Sequence, residues 1–265
     1  MSATLGGLLK DYRLQKNISQ LEISFAVGWK EPSRLSRIEQ GRVGRPKREL
    51  LNRIMDAMKL DEEERGRLLL GGGYLPTNEE ISKVRKQIDS FIMGWKFPIV
   101  VYDFSRRVVF ENKVADHVYG LSKHYKKTGD NKYPNILEIL FDENYSQNTR
   151  FKGKKDYSVW STHLTSVLAQ FMKVQRDRTK EKWYTDLIKK MMNNDLFRTH
   201  WEKARSTIHT SKVVNYFQET DAVPEDSRLR LTFNLFTIPV QTDLRFEVEF
   251  YTPANLETFK YFEKK

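Results

Sequence analysis

The sequence predicts a mainly α chain with an α/β part: an all-α N-terminal domain, then an α+β domain built on an antiparallel sheet of about five strands with covering helices. Three observations carry this. Apolar residues recur at helical spacing through the first seventy positions, interrupted by caps and glycines. The spacing switches to period two near the end, where Leu244, Phe246, Val248 and Phe250 alternate with polar residues. Between them lies a long helical block flanked by short Val- and Phe-rich runs.

In order, Leu5 to Lys16 forms the first helix, with Leu5, Leu8, Leu9 and Tyr12 on one stripe. Ser19 suits an N-cap for a helix carrying Gln20, Ile23, Ser24 and Val27, stopped at Gly28. Pro32 suits the first position of the next helix, which turns Leu35 and Ile38 inward and Ser33, Arg34, Ser36 and Arg37 outward. Arg42, Arg45, Lys47 and Arg48 follow, broken by Gly41, Gly44 and Pro46. Two short helices joined by a tight turn, the second presenting Ser and Arg, have the geometry of a helix-turn-helix in a major groove, with the basic loop on phosphates. Glu49 to Leu60 is the fourth helix. Asp61 with Glu64 makes a capping box for the fifth, which Gly71, Gly72 and Gly73 terminate.

A helix from Asn78 to Trp95 places Ile81, Val84, Ile88, Phe91 and Ile92 on one face, suited to docking on the second domain or to a share in dimerisation, the second being favoured. Pro98–Phe104 and Arg107–Asn112 are strand candidates around a polar turn, followed by a short helix from Ala115, a polar loop at 126–131 and an apolar run at 136–141. Trp160 to Met172, Trp183 to Met192 and Leu196 to Ala204 keep helical spacing. Val213–Phe217, Leu229–Ile238 and Leu244–Tyr251 are the closing strands.

The chain has 265 residues and a net charge of +11, which favours an anionic partner, nucleic acid first. With no cysteine, it has no disulfide framework, thiol catalysis or thiolate metal site. No stretch approaches the ~20 apolar residues of a membrane span, so a soluble cytoplasmic protein with no membrane span is expected. His117, His124, His163, His200 and His209 do not pair at metal spacing, and no nucleophile elbow, Walker loop or dinucleotide fingerprint is present. The expectation is no enzyme, no metal and no cofactor.

The string RLSRIEQGRVGRP resembles the part of Cro/C1-type (XRE) repressors in which the recognition helix ends in a buried Glu before a basic loop; Glu39 and Gln20 match the family positions, and the turn WKEP is one residue longer than the common form. FPIVVYDFSRRVVFENKVADHVYG, PNILEILFD, LFRTHWEKA and LRFEVEFYTP resemble the MmyB-like ligand-binding domain, a PAS-like sensor, through Asn112, Ala115, Phe197, Arg198, Trp201 and Pro253. The resemblance implies a helix-turn-helix DNA-binding domain over 1–76, a linker helix over 77–95 and a PAS-like sensor domain over 96–265. It implies a transcription regulator that binds double-stranded DNA as a homodimer and holds a small, fatty-acid-like ligand. The expected DNA contacts are Gln20, Lys30, Ser33, Arg34 and Arg37, with Arg42, Arg45 and Lys47 on phosphates. The expected pocket wall, between sheet and helical block, is Val101, Phe110, Trp160, Phe171, Phe197, Trp201, Phe233 and Phe246; plain core packing is the competing reading for each. The basic run Lys173, Arg176, Arg178, Lys180 and Lys182 could meet a carboxylate, but a solvated helix face is the stronger reading. The rival functions are a ligand-free protein-interaction module and an enzyme.

Overall fold

The computed structural model describes residues 4–122, 133–145, 151, 154–207, 218–224, 227 and 229–263. The chain divides into two compact units, Met1–Glu80 with Pro239–Phe246, and Ile81–Ile238 with Glu247–Lys265.

The first unit is helical: α1 (Leu5–Gln15), α2 (Gln20–Ala26), α3 (Ser33–Glu39), α4 (Arg48–Ala57), α5 (Glu62–Gly71) and the first turn of α6 (Asn78–Gly94). Ser19 and Asp61 cap α2 and α5 with complete capping boxes, each closed by a Glu three residues on. Gly28 takes φ +81° after α2, the left-handed turn that a side chain resists. Pro32 stands one position earlier than expected, as the N-cap of α3. The core joins Leu8, Leu9 and Tyr12 of α1 to Ile23, Leu35, Ile38, Leu51, Ile54 and Leu68. Gly6, at the start of α1, is required by close approach: a Cβ there would lie 2.4 Å from the Ile38 carbonyl oxygen.

The second unit is built on a five-stranded antiparallel sheet of order β2-β1-β5-β4-β3, with β1 (Ile99–Asp103), β2 (Val108–Glu111), β3 (Gln218–Ala222), β4 (Leu231–Pro239) and β5 (Phe246–Pro253). Its helices, after most of α6, are α7 (Lys113–Tyr119), α8 (Ile136–Leu140), α9 (Lys154–Val174), α10 (Lys182–Met191), α11 (Asp195–Thr207) and α12 (Leu256–Glu263). One face of the sheet, through Val100, Tyr102, Val108, Leu231, Phe233 and Tyr251, packs under α7 to α11. The other face meets α6: Phe91 and Trp95 lie edge-on to Phe250, and Arg85 lies over the Phe110 ring. Asn112 ties the first hairpin to α7. Its Oδ1 accepts from the Ile99 and Ala115 amides, and its Nδ2 donates to the Phe97 carbonyl.

Several elements differ from expectation. The helix α12 was not foreseen, and β5 begins at Phe246 rather than Leu244, because Leu244 and Arg245 belong to a turn in the first unit. The polar loop at 126–131 and the strand at 213–217 lie outside the described residues; β3 is observed at Gln218–Ala222. The helix Asn78–Gly94 buries Ile81, Val84 and Ile92, and most of it belongs to the second unit.

Candidate nucleic-acid interface

In the first unit the two helices of the turn are oriented by one buried ion pair. Arg13 of α1 donates through Nε and Nη2 to both Glu39 carboxylate oxygens, at 2.6 and 3.0 Å. Its remaining Nη1 bonds the Ile18 carbonyl, and the Gln20 amide donates to Glu39 Oε2 at 2.8 Å. Both charges are buried, so neither can rehydrate if the other is lost. The end of α3 is thereby fixed to α1 and to the start of α2. On the far side of the turn, Arg53 of α4 donates to the Val27 carbonyl at 2.6 Å.

With Leu35 and Ile38 facing the core, α3 turns Ser33, Arg34 and Arg37 to solvent. Arg34 lies over the Trp29 indole, 4.9 Å from its centre, which pre-orients the guanidinium without neutralising it. Beside it opens a cleft of about 630 Å³, lined by Trp29, Arg34, Val43, Lys47, Glu49 and Arg53 among others. Lys30, Arg37, Arg42 and Lys47 are exposed and form no ion pair among the described residues. The result is an outward helix face carrying forked and point charges, flanked by a basic loop.

Two expected DNA contacts are engaged elsewhere. Gln20 is half-buried on Glu39. Arg45 donates to the carbonyls of Gly72 and Gly73 at 3.1 and 3.0 Å, and its guanidinium lies over Tyr74, 4.9 Å from the ring centre. The glycine-rich end of α5 offers bare carbonyls that a guanidinium fork satisfies, so Arg45 organises the loop from within.

In the second unit, the expected pocket wall is split. Trp160, Phe171, Phe197 and Phe233 share one buried cluster, with Trp201 at its edge, stacked on Phe197. Val101 and Phe110 do not belong to that cluster and lie on the other sheet face, and Phe246 falls in the first unit. Val101 lies there by the alternation of β1, and for Phe110 the reason is a β-bulge. Val101 pairs with Phe110 but Tyr102 pairs with Val108, so Val109 is an extra residue that puts Val108 and Phe110 on opposite faces. Within the cluster side, Glu249 is buried between polar partners, accepting from the Tyr251 hydroxyl at 2.5 Å and from Arg106 at 3.1 Å. Burial raises the phenols of Tyr102, Tyr119 and Tyr251 above their ordinary range, with Glu249 adding to it. The Tyr119 hydroxyl is buried without a hydrogen-bond partner among the described residues. His163 is stacked on Trp160, and burial pushes its imidazole down to about 4.

Two family comparisons bear on this geometry. Residues 4–68 match a helix-turn-helix domain family, and residues 84–264 match the MmyB-like transcription regulator ligand binding domain. The second match alone covers more than half of the chain. The chain belongs to the MmyB-like transcription regulators. No curated protein matches it. As an MmyB-like regulator it is a DNA-binding transcription regulator with a separate ligand-binding domain, and both matched families are regulatory rather than catalytic. No helix among the described residues is long and apolar enough to cross a membrane.

Sequence reasoning missed one buried cluster in the first unit. Arg245, fully buried, donates to both oxygens of Asp243 at 2.9 and 2.6 Å, to the Tyr74 carbonyl at 3.3 Å and to Glu80 at 3.1 Å. Burial alone would raise the Glu80 carboxyl, but Arg245, then the Thr77 amide and Arg48, outweigh it and hold it below its usual value. The period-two pattern around Arg245 hid this, because an arginine between Leu244 and Phe246 reads as the solvent face of a strand.

Proposed function

We propose that this regulator reads a specific operator as a homodimer and that its second domain senses a small apolar ligand. The observation that carries the DNA half is α3, which holds Ser33, Arg34 and Arg37 outward from a base locked by Arg13–Glu39. Arg34 and Arg37 supply the forks that recognise guanine edges, and Lys30, Arg42 and Lys47 grip phosphates. Two half-sites about 34 Å apart require a second copy. The exposed Phe91 and Met93 of α6 give that copy an apolar contact.

The ligand half is supported by the aromatic cluster around Trp160, Phe171, Phe197 and Phe233 and by the buried Tyr119 hydroxyl, a polar anchor in apolar surroundings. A ligand switches such a dimer through unequal affinity for its two arrangements. One observation favours a second reading: Phe197, Phe233, Leu164 and Leu168 are at most 1% exposed, as in a filled core, which suits a protein-interaction module without ligand. Native mass spectrometry of the purified chain separates the two, since a retained fatty acid adds its own mass and a filled core adds none.

The deciding experiment for the DNA half is titration against a labelled duplex from the gene's own upstream region and a scrambled duplex, at two salt concentrations. Preference for the natural duplex that survives the higher salt supports a sequence reader. Equal binding that collapses with salt reduces it to phosphate attraction.

A further inference from the structure

The first compact unit is made of two separated stretches of chain, and the second, Pro239–Phe246, is the connection between β4 and β5. This stretch is a tight turn: the Asp243 amide bonds the Val240 carbonyl, and the Val240 amide bonds the Phe246 carbonyl at its mouth, while the Phe246 amide bonds the Asp243 carbonyl. It lies close on α5. A Cβ on Gly66 would come within 3.1 Å of the Asp243 Cα, so α5 keeps a glycine in mid-helix where alanine would favour the helix.

From this turn Arg245 reaches the Tyr74 carbonyl and Glu80. Tyr74 is in turn the clamp of the basic loop. Its hydroxyl donates to the Pro46 carbonyl at 2.5 Å, and its ring is covered by the guanidiniums of Arg45 and Arg48 at 4.9 and 5.7 Å. Glu80 takes the other fork of Arg48, whose Nη1 holds the Leu75 carbonyl at 3.0 Å. A single buried guanidinium therefore sits behind both supports of the loop that carries Arg42 and Lys47.

We propose that Arg245 is a positioning residue for DNA binding, setting the basic loop through Tyr74 and Glu80. This rests on the reading of that loop as a phosphate grip. Lysine at 245 keeps the charge but has no fork, so it cannot hold both Asp243 oxygens, Glu80 and the Tyr74 carbonyl together.

The test compares full-length wild type, Arg245→Lys, Gly66→Ala and the Arg34→Ala/Arg37→Ala double variant. The readouts are thermal unfolding and affinity for the upstream duplex across a salt series. Folded Arg245→Lys is expected to lose about tenfold in affinity (~1.4 kcal/mol), and its salt slope becomes shallower by about one phosphate contact's worth, ~0.9. Gly66→Ala, which displaces Asp243 while removing no charge, shows a smaller loss in the same sense and decides the matter if Arg245→Lys does not fold. A folded variant with lowered melting temperature but wild-type affinity and slope overturns the proposal, because a purely structural role changes only stability. If the Arg34/Arg37 double variant also binds like wild type, the failure lies with the DNA reading itself.

Discussion

Replacing Glu39 with alanine removes both acceptors of the Arg13 fork and the partner of Gln20. Arg13 then remains buried, bonded only to the Ile18 carbonyl. Leaving one charge of a buried pair uncompensated costs about 3–5 kcal/mol, against a total stability of about 5–15 kcal/mol for a small domain. The loss therefore takes about a fifth or more of what holds the helical unit together. It should appear in urea unfolding followed by far-ultraviolet circular dichroism as a separate early transition. The control is Arg13→Met with Glu39→Leu, which removes both charges and recovers most of the loss, since an apolar pair fills the same volume without desolvating ions. The coupling of the two positions follows from the two single variants and the double one. A Glu39→Ala loss below about 1 kcal/mol, or a double variant as unstable as the sum of its singles, would refute the view that this pair fixes α3 to α1.

Gly6→Ala places a methyl 2.4 Å from the Ile38 carbonyl and should destabilise the unit by about 1–3 kcal/mol despite the better helix propensity of alanine; a stabilised variant would show that α1 and α3 can part without cost. Asn112→Ala strands the Ile99 and Ala115 amides and the Phe97 carbonyl, and calorimetry should show a loss of about 2–4 kcal/mol confined to the second unit. The Arg34→Ala/Arg37→Ala variant should lose about 1–3 kcal/mol of discrimination per forked contact while keeping its melting temperature; equal preference for natural duplex before and after mutation would remove α3 as the reader. His163 has a folded value of about 4, below its ordinary 6.5, so the unfolded chain takes up its proton first as pH falls. Its contribution is complete above about pH 7 and declines from there down to about pH 4. Melting temperatures measured over that range should fall less steeply in His163→Gln, and an unchanged slope would mean the ring is not held neutral.

Much of this molecule is local and can be read from the chain alone. Ser19 with Glu22 and Asp61 with Glu64 act across three residues, as do the Leu35 and Ile38 that orient α3, and Gly28 stops a helix through its own backbone. These interactions fix which residues of α3 face outward, and the sequence also carries the family motifs of both halves. What it could not carry are the contacts between residues distant along the chain and the one-residue shift inside a hairpin. Arg13 and Glu39 are 26 positions apart, and Arg245 and Tyr74 are 171 apart. Nothing local distinguishes an engaged guanidinium from a free one, so Arg45 on its carbonyls and the buried Arg245 on its carboxylates could be assigned only once those partners were in place. The bulge at Val109 likewise reverses faces without any change in composition, and sends Phe110 away from Trp160 and Phe233. Caps and periodicity are decided within a helical turn or a strand pair. The partner of a buried charge is decided by the packing of whole elements, because its desolvation must be offset wherever the fold brings an opposite charge or a bare carbonyl.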